Sequence, residues 1–170
     1  MGLYWRAMPD GTLSLKNTDA AGSKVPKEHV TLLLACNMDG SEKLKPLTTG
    51  KSKNPRCFKN AKKLPVPYEA NKNAWMTGNI RKEWLKKIDR QMQARKHKIV
   101  MPCDNCAPHN GETQLANVKV IFMLPNITYL IQPMDQGIIA NFKQHYRVLV
   151  LRQLMGVMET ADGRRRWRIN

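Results

Sequence analysis

Two short stretches of the chain carry residues whose types could do chemistry together. The first is Met101-Pro102-Cys103-Asp104-Asn105-Cys106-Ala107-Pro108-His109. The second is Leu124-Pro125-Asn126-Ile127-Thr128-Tyr129-Leu130-Ile131-Gln132-Pro133-Met134-Asp135-Gln136-Gly137. Each sets one carboxylate, Asp104 or Asp135, beside turn residues and polar amides at the edge of an apolar run. Carboxylate oxygens suit Mg²⁺, and a pair of such ions can clamp the attacking and leaving oxygens of a phosphodiester. That chemistry needs several converging acids, and a lone Asp after a strand otherwise serves as a loop or helix cap. The first stretch also admits a thiol reading. Cys103, Cys106 and His109 are spaced as Zn²⁺ ligands can be, and a Cys-x-x-Cys between strand and helix is also a redox layout. A structural zinc site wants a fourth ligand, for which Cys36, Cys57 and His97 are distant candidates.

These residues need elements to position them. Val30 to Cys36 is a continuous apolar run that suits a strand buried on both faces. Asp39-Gly40 then favours a hairpin turn, with a return strand over Lys43 to Thr49 ended by Gly50. Leu3-Tyr4-Trp5 reads as the tail of a strand, and Pro9-Asp10-Gly11 as a turn. Residues 50 to 73, with Pro55, Pro65, Pro67 and many lysines, read as an irregular basic connection. Thr77 can cap a helix in which Ile80, Trp84, Ile88 and Met92 recur every four residues and Leu85 widens the stripe. Trp84, like Phe142 further on, is core rather than catalytic. Lys98 to Cys103 reads as a short buried strand running directly into Asp104.

Residues 107 to 117 read as a short helix or loop, and Val118 to Met123 as a strand closed by Leu124-Pro125-Asn126. A long helix is expected from near Pro133, with Ile138, Ile139, Phe142, Tyr146, Leu149, Val150 and Leu154 on one face. Gly156 would end it, leaving residues 156–170 as a basic, unstructured tail behind a domain over 1–155. A hairpin followed by strands alternating with helices implies an α/β fold, a mixed sheet flanked by helices. Sites in such sheets form at the carboxyl ends of strands, where Asp104 stands.

The charge balance narrows the partners. In 170 residues, 29 Lys plus Arg face 13 Asp plus Glu, a formal net charge of +16. Such an excess attracts polyanions, so DNA or another nucleic acid, met mainly through its phosphates, is the expected partner. Lys43, Lys45, Lys51, Lys53, Arg56, Lys59, Lys62 and Lys63 crowd a region where Glu42 is the one acid. They make either a phosphate-binding track or a solvated surface. Arg164 to Arg168, with Trp167 interleaved, suits nucleic-acid binding or nuclear import. No apolar run approaches the roughly 20 residues of a membrane span, and the first residues lack a signal-peptide core. The chain is therefore expected inside the cell, with its four cysteines as thiols or ligands.

From Leu3 to about Leu154 the sequence resembles the DDE superfamily endonuclease domain of Tigger- and pogo-like transposases, shared with jerky and centromere-binding protein B relatives. The resemblance rests on Gly2-Leu3-Tyr4-Trp5-Arg6, Val30 to Cys36, Glu42 to Leu47, Gly50 to Lys59, Ala74-Trp75-Met76-Thr77, both aspartate stretches and Asn141 to Arg147, in that order. It implies a ribonuclease H-like fold and a nuclear location. It also implies Mg²⁺ (or Mn²⁺) catalysis on DNA, with Asp104 as the second metal-binding acid and Asp135 as the third. In relatives an Asp-Glu-Thr-like sequence precedes the Gly-Leu-aromatic-aromatic segment, whereas here Gly2 follows Met1. The expectation is thus a domain truncated in its first strand, which binds nucleic acid without cutting it. An active nuclease completed by another acid or chain is the alternative, and a zinc-stabilised interaction module a third.

Overall fold

The structure is a computed structural model and describes residues 1–5, 28–104, 114–124 and 132–159. Its first sheet has four strands in chain order: β1 (Gly2–Leu3), β2 (Val30–Leu33), β3 (Leu47–Gly50) and β4 (Tyr68–Ala70). The β1–β2 and β2–β3 pairs are antiparallel and β3–β4 is parallel, so the sheet is mixed, as the sequence suggested. Thr31 and Leu32, neighbours that face opposite ways in a strand, are both buried, which bears out a strand covered on both faces. The hairpin turn lies where Asp39-Gly40 placed it. Gly40 has φ +73, its N–H donates to the Asn37 carbonyl at 3.2 Å, and a Cys36–Lys43 bridge closes the ladder above it.

The connection over residues 50 to 73 is less irregular than expected. It holds a 3₁₀ turn at Arg56–Phe58 and then β4. A three-residue strand behind Pro65 and Pro67 is too short to show a period in sequence. Its partner β3 reveals it, through Thr48 N–H donating to the Pro67 carbonyl and Asn71 N–H to the Gly50 carbonyl, each at 2.9 Å. Gly50 belongs to β3 and does more than end it: an added Cβ there would run into the Tyr68 hydroxyl. That hydroxyl is in turn fixed, donating to the Ser52 carbonyl at 2.6 Å.

Helix α1 (Gly78–Ala94) follows its cap as expected, with Thr77 Oγ1 accepting from the Ile80 N–H at 3.4 Å. Its stripe of Trp84, Leu85, Ile88 and Met92 is buried together with Leu47 of β3, Met76, and Val118 of the next sheet. Each such side chain contributes about 1.5–3 kcal/mol by leaving water. The helix therefore holds the two sheets together. The second sheet is a parallel pair, β5 (Ile99–Cys103) and β6 (Val118–Phe122), in the register Ile99↔Val118 to Cys103↔Phe122. The expectation of a buried strand at 98–103 needs correction. Ile99 and Met101 pack on the core while Val100 and Pro102 are exposed, because α1 covers one face alone.

The long C-terminal helix also departs from expectation. The chain first makes a wide helical turn at Met134–Ile138, and regular helix α2 runs from Ile139 to Glu159. It passes through Gly156, whose cost of roughly 1 kcal/mol is borne within a helix that keeps its hydrogen bonds. Of the predicted face, Ile139, Phe142, Tyr146, Val150 and Leu154 are half-buried, whereas Ile138 and Leu149 are exposed. The Tyr146 hydroxyl donates to the Trp5 carbonyl at 3.3 Å, which ties α2 to the exit of β1. No helix among the described residues is long and apolar enough to cross a membrane.

Candidate functional site

Asp104 follows the last residue of β5 and is half-buried, at the carboxyl end of a parallel strand as the α/β pattern predicts. Asp135 is exposed and sits in the wide turn before α2. Its N–H donates to the Gln132 carbonyl at 3.0 Å. Gln136 (ψ 52) and Gly137 (φ 96) then break the helical path, a positive φ that glycine adopts without strain. That break separates the Asp135 turn from α2.

Both acids are hard oxygen donors, the right kind for Mg²⁺ or Mn²⁺. Among the described residues no group of three or more His, Cys, Asp or Glu side chains is placed to hold a metal ion. Of the alternative zinc set, Cys103 is described and half-buried, while Cys106 and His109 lie outside the described residues.

Arg81 is a residue the sequence pattern did not single out. It lies on the core-facing side of α1, three and four residues before Trp84 and Leu85, and is only 6% exposed. A charged residue on that stripe was the available signal. Its Nη2 donates to the Cys103 Sγ at 3.4 Å, and its guanidinium carbon stands 5.9 Å from the centroid of the Phe122 ring. One cation thus touches the carboxyl ends of both β5 and β6, next in chain to Asp104. Burial pushes the Cys103 thiol up, Arg81 counteracts this, and the Asp104 charge adds to the rise. The thiol is therefore a poor nucleophile and proton donor, which argues for packing over redox chemistry. A cavity of about 740 Å³ opens along α1, β5 and β6, lined by Arg81, Leu85, Val118 and Phe122 among others. Neither candidate acid lines it.

Asp89 on α1 is a second unforeseen anchor. Its carboxylate accepts from the N–H groups of Asn117 at 2.7 Å, Val118 at 3.0 Å and Ala116 at 3.3 Å. The Asn117 bond leads in holding this carboxyl below its ordinary range. No local pattern announces it, because its partners lie 27 to 29 positions away.

The predicted basic track is exposed at all eight positions, Lys43, Lys45, Lys51, Lys53, Arg56, Lys59, Lys62 and Lys63. Lys43 Nζ donates to the Gly40 carbonyl at 2.7 Å and so is partly spent on its own hairpin. Glu42, the acid within the run, pairs with Arg95 beyond the end of α1. Among the described residues none of the eight forms an ion pair, which leaves their charge available to phosphate.

Comparison with known proteins places this geometry in a family. A profile described as DDE superfamily endonuclease matches residues 27–167. Tigger transposable element-derived protein 4 of Mus musculus is 38% identical over 160 residues, covering 94% of this chain and 31% of that protein. Jerky protein homolog of Homo sapiens is 35% identical over 157 residues, covering 85% and 28%. Major centromere autoantigen B of Homo sapiens is 30% identical over 161 residues, covering 94% and 26%. The chain thus spans between a quarter and a third of the length of these relatives. No solved structure matches it. With the family profile covering most of the chain and these relatives aligned along it, the chain belongs to the DDE superfamily endonucleases, in the branch of the Tigger-like transposases.

Proposed function

We propose that this chain is a ribonuclease H-like DDE domain that binds DNA through its phosphates in the nucleus. The observation that carries this reading is the basic track on and after the β2–β3 hairpin, whose one internal acid is diverted to Arg95. Further support comes from the order of elements. A mixed four-stranded sheet precedes a helix and a parallel strand pair, and Asp104 stands at a strand end. A nuclear location is supported by relatives named for transposable elements and the centromere. Asp104 and Asp135 are the family carboxylates in this reading. A divalent cation in a complete site of this family supplies positive charge to the reacting phosphate. Two acids do not complete such a site, so the polypeptide of this sequence binds DNA without cutting it.

The test has two arms. Titration of unrelated duplexes at two salt concentrations should show non-specific binding that weakens steeply with salt, as counterion release requires. No binding at low salt, or a sequence preference persisting at high salt, overturns the reading. A nicking assay with Mg²⁺ or Mn²⁺ should show no cleavage. Cleavage that disappears in Asp104→Ala would show that the site is complete after all.

A further inference from the structure

The end of the four-stranded sheet that carries Leu3, Val30, Gly50 and Ala70 as one row brings together side chains that are far apart in sequence. The next residue outward on each strand is Tyr4, His29, Lys51 and Asn71 respectively. A turn at Asn71, closed by the Ala74 N–H donating to the Asn71 carbonyl at 2.8 Å, then delivers Trp75 to the same cluster. Tyr4 and His29 have ring centroids 5.5 Å apart, and His29 and Trp75 4.9 Å apart, so both larger rings contact the one imidazole. Those outer rings are far from buried: Tyr4 is 47% exposed and Trp75 54%. Large aromatic rings normally leave water when a core is available to them, and buried Leu3 beside Tyr4 and buried Ala74 and Met76 beside Trp75 show that one is close by.

Charge lies beside this ladder. Lys51, the first residue of the basic stretch after β3, leaves the sheet one strand from His29 and two from Tyr4. At ordinary strand spacing that is about 10 Å or less between backbones. Exposed aromatic faces next to a cationic track form the combination that holds single-stranded nucleic acid: bases stack on the rings while phosphates follow the charge. A duplex, whose bases are already stacked, cannot use the rings.

We propose that Tyr4 and Trp75, braced by His29, form a stacking platform for an unpaired base, with Lys51 and the residues after it taking the adjoining phosphates. The inference rests on the DNA-binding reading above and adds to it a preference for single-stranded over duplex DNA. The net charge of +16 favours this occupant over an apolar protein segment.

The experiment measures anisotropy of a labelled oligothymidine of about 12 nucleotides, within the span of single-strand sites, and of a duplex of equal length. The full chain is compared with Tyr4→Ala, Trp75→Ala and Trp75→Phe. The single strand should bind more tightly than the duplex. Each alanine variant should lose about tenfold on the single strand, as expected for one stacked base, and nothing on the duplex. Trp75→Phe should recover most of that loss, and all variants should melt near the parent. Equal loss on both DNA forms, or no loss on either, overturns the platform while leaving the phosphate reading intact. Absence of binding to both forms overturns the two together. A concentration-dependent dimer that Trp75→Ala abolishes would assign the rings to a second copy of the chain and overturn the platform too.

Discussion

Burying a guanidinium costs desolvation that its neighbours must offset. Arg81 leaves water near the N-terminus of α1, where the helix dipole disfavours a cation, and no acid stands in that first turn. The Cys103 sulfur and the Phe122 ring offset part of this cost, and the aliphatic stem fills core volume beside Leu85. Arg81→Ala should therefore lower the unfolding free energy by about 2–3 kcal/mol in urea titration, through poorer packing and a residual cavity. A change under about 0.5 kcal/mol, typical of surface sites, would contradict its burial. Gly50 poses the opposite constraint, a residue needed for its smallness. Gly50→Ala should destabilise by about 1–3 kcal/mol, since Tyr68 is held at its hydroxyl by Ser52 and at its ring by Phe58, 4.8 Å away. In a Tyr68→Ala background most of that cost should vanish, which a double-mutant cycle would read as coupling.

Among elements, α1 matters most, because it packs on β3 and β6 and so joins two sheets that share no strand. A two-stranded parallel sheet is marginal alone, and its register against α1 is secured by Asp89. The three N–H groups favour the ionised carboxylate, so its folded value lies below the unfolded one. Its contribution is then fully present above the ordinary Asp value of about 4. It is lost as the pH falls through the depressed folded value. Stability curves of the parent and Asp89→Ala should differ at neutral pH and converge in acid. Parallel curves down to the acid limit would show that Asp89 does not anchor β6.

For the whole molecule, the dominant quantity is charge. If the track of eight bases meets DNA, neutralising Lys51, Lys53, Lys59 and Lys62 together should weaken duplex binding at low salt. It should also flatten the dependence of log affinity on log salt by about 0.9 for each phosphate left without its cation. An unchanged slope would move the DNA surface elsewhere. The thermal midpoint should hold, because all four side chains are exposed and none forms an ion pair among the described residues.

Local signals of sufficient length were decisive by themselves. The apolar run at Val30, the Asp39-Gly40 turn, the Thr77 cap and the four-residue period of α1 all led to elements close to where they were read, because each depends on neighbours in sequence. The track from Lys43 to Lys63 was equally legible, since a run of bases with one acid has little else to do than face water. Ordered motifs such as those around Asp104 and Asp135 were enough to name the family. Features that depend on distant partners were decided by tertiary structure alone. β4 exists because β3 offers it an edge, Asp89 anchors because β6 begins above it, and the aromatic cluster forms because two strand ends meet the turn that follows β4. Gly156, read as the helix end, stays helical, while Gly137, inside the helix expected from Pro133, breaks its path. Arg81 had a visible signal, a cation on an apolar stripe, but its partners Cys103 and Phe122 come from strands 22 and 41 residues away. Sequence proximity specifies turns, caps and periods; only packing specifies which charges and rings share a site.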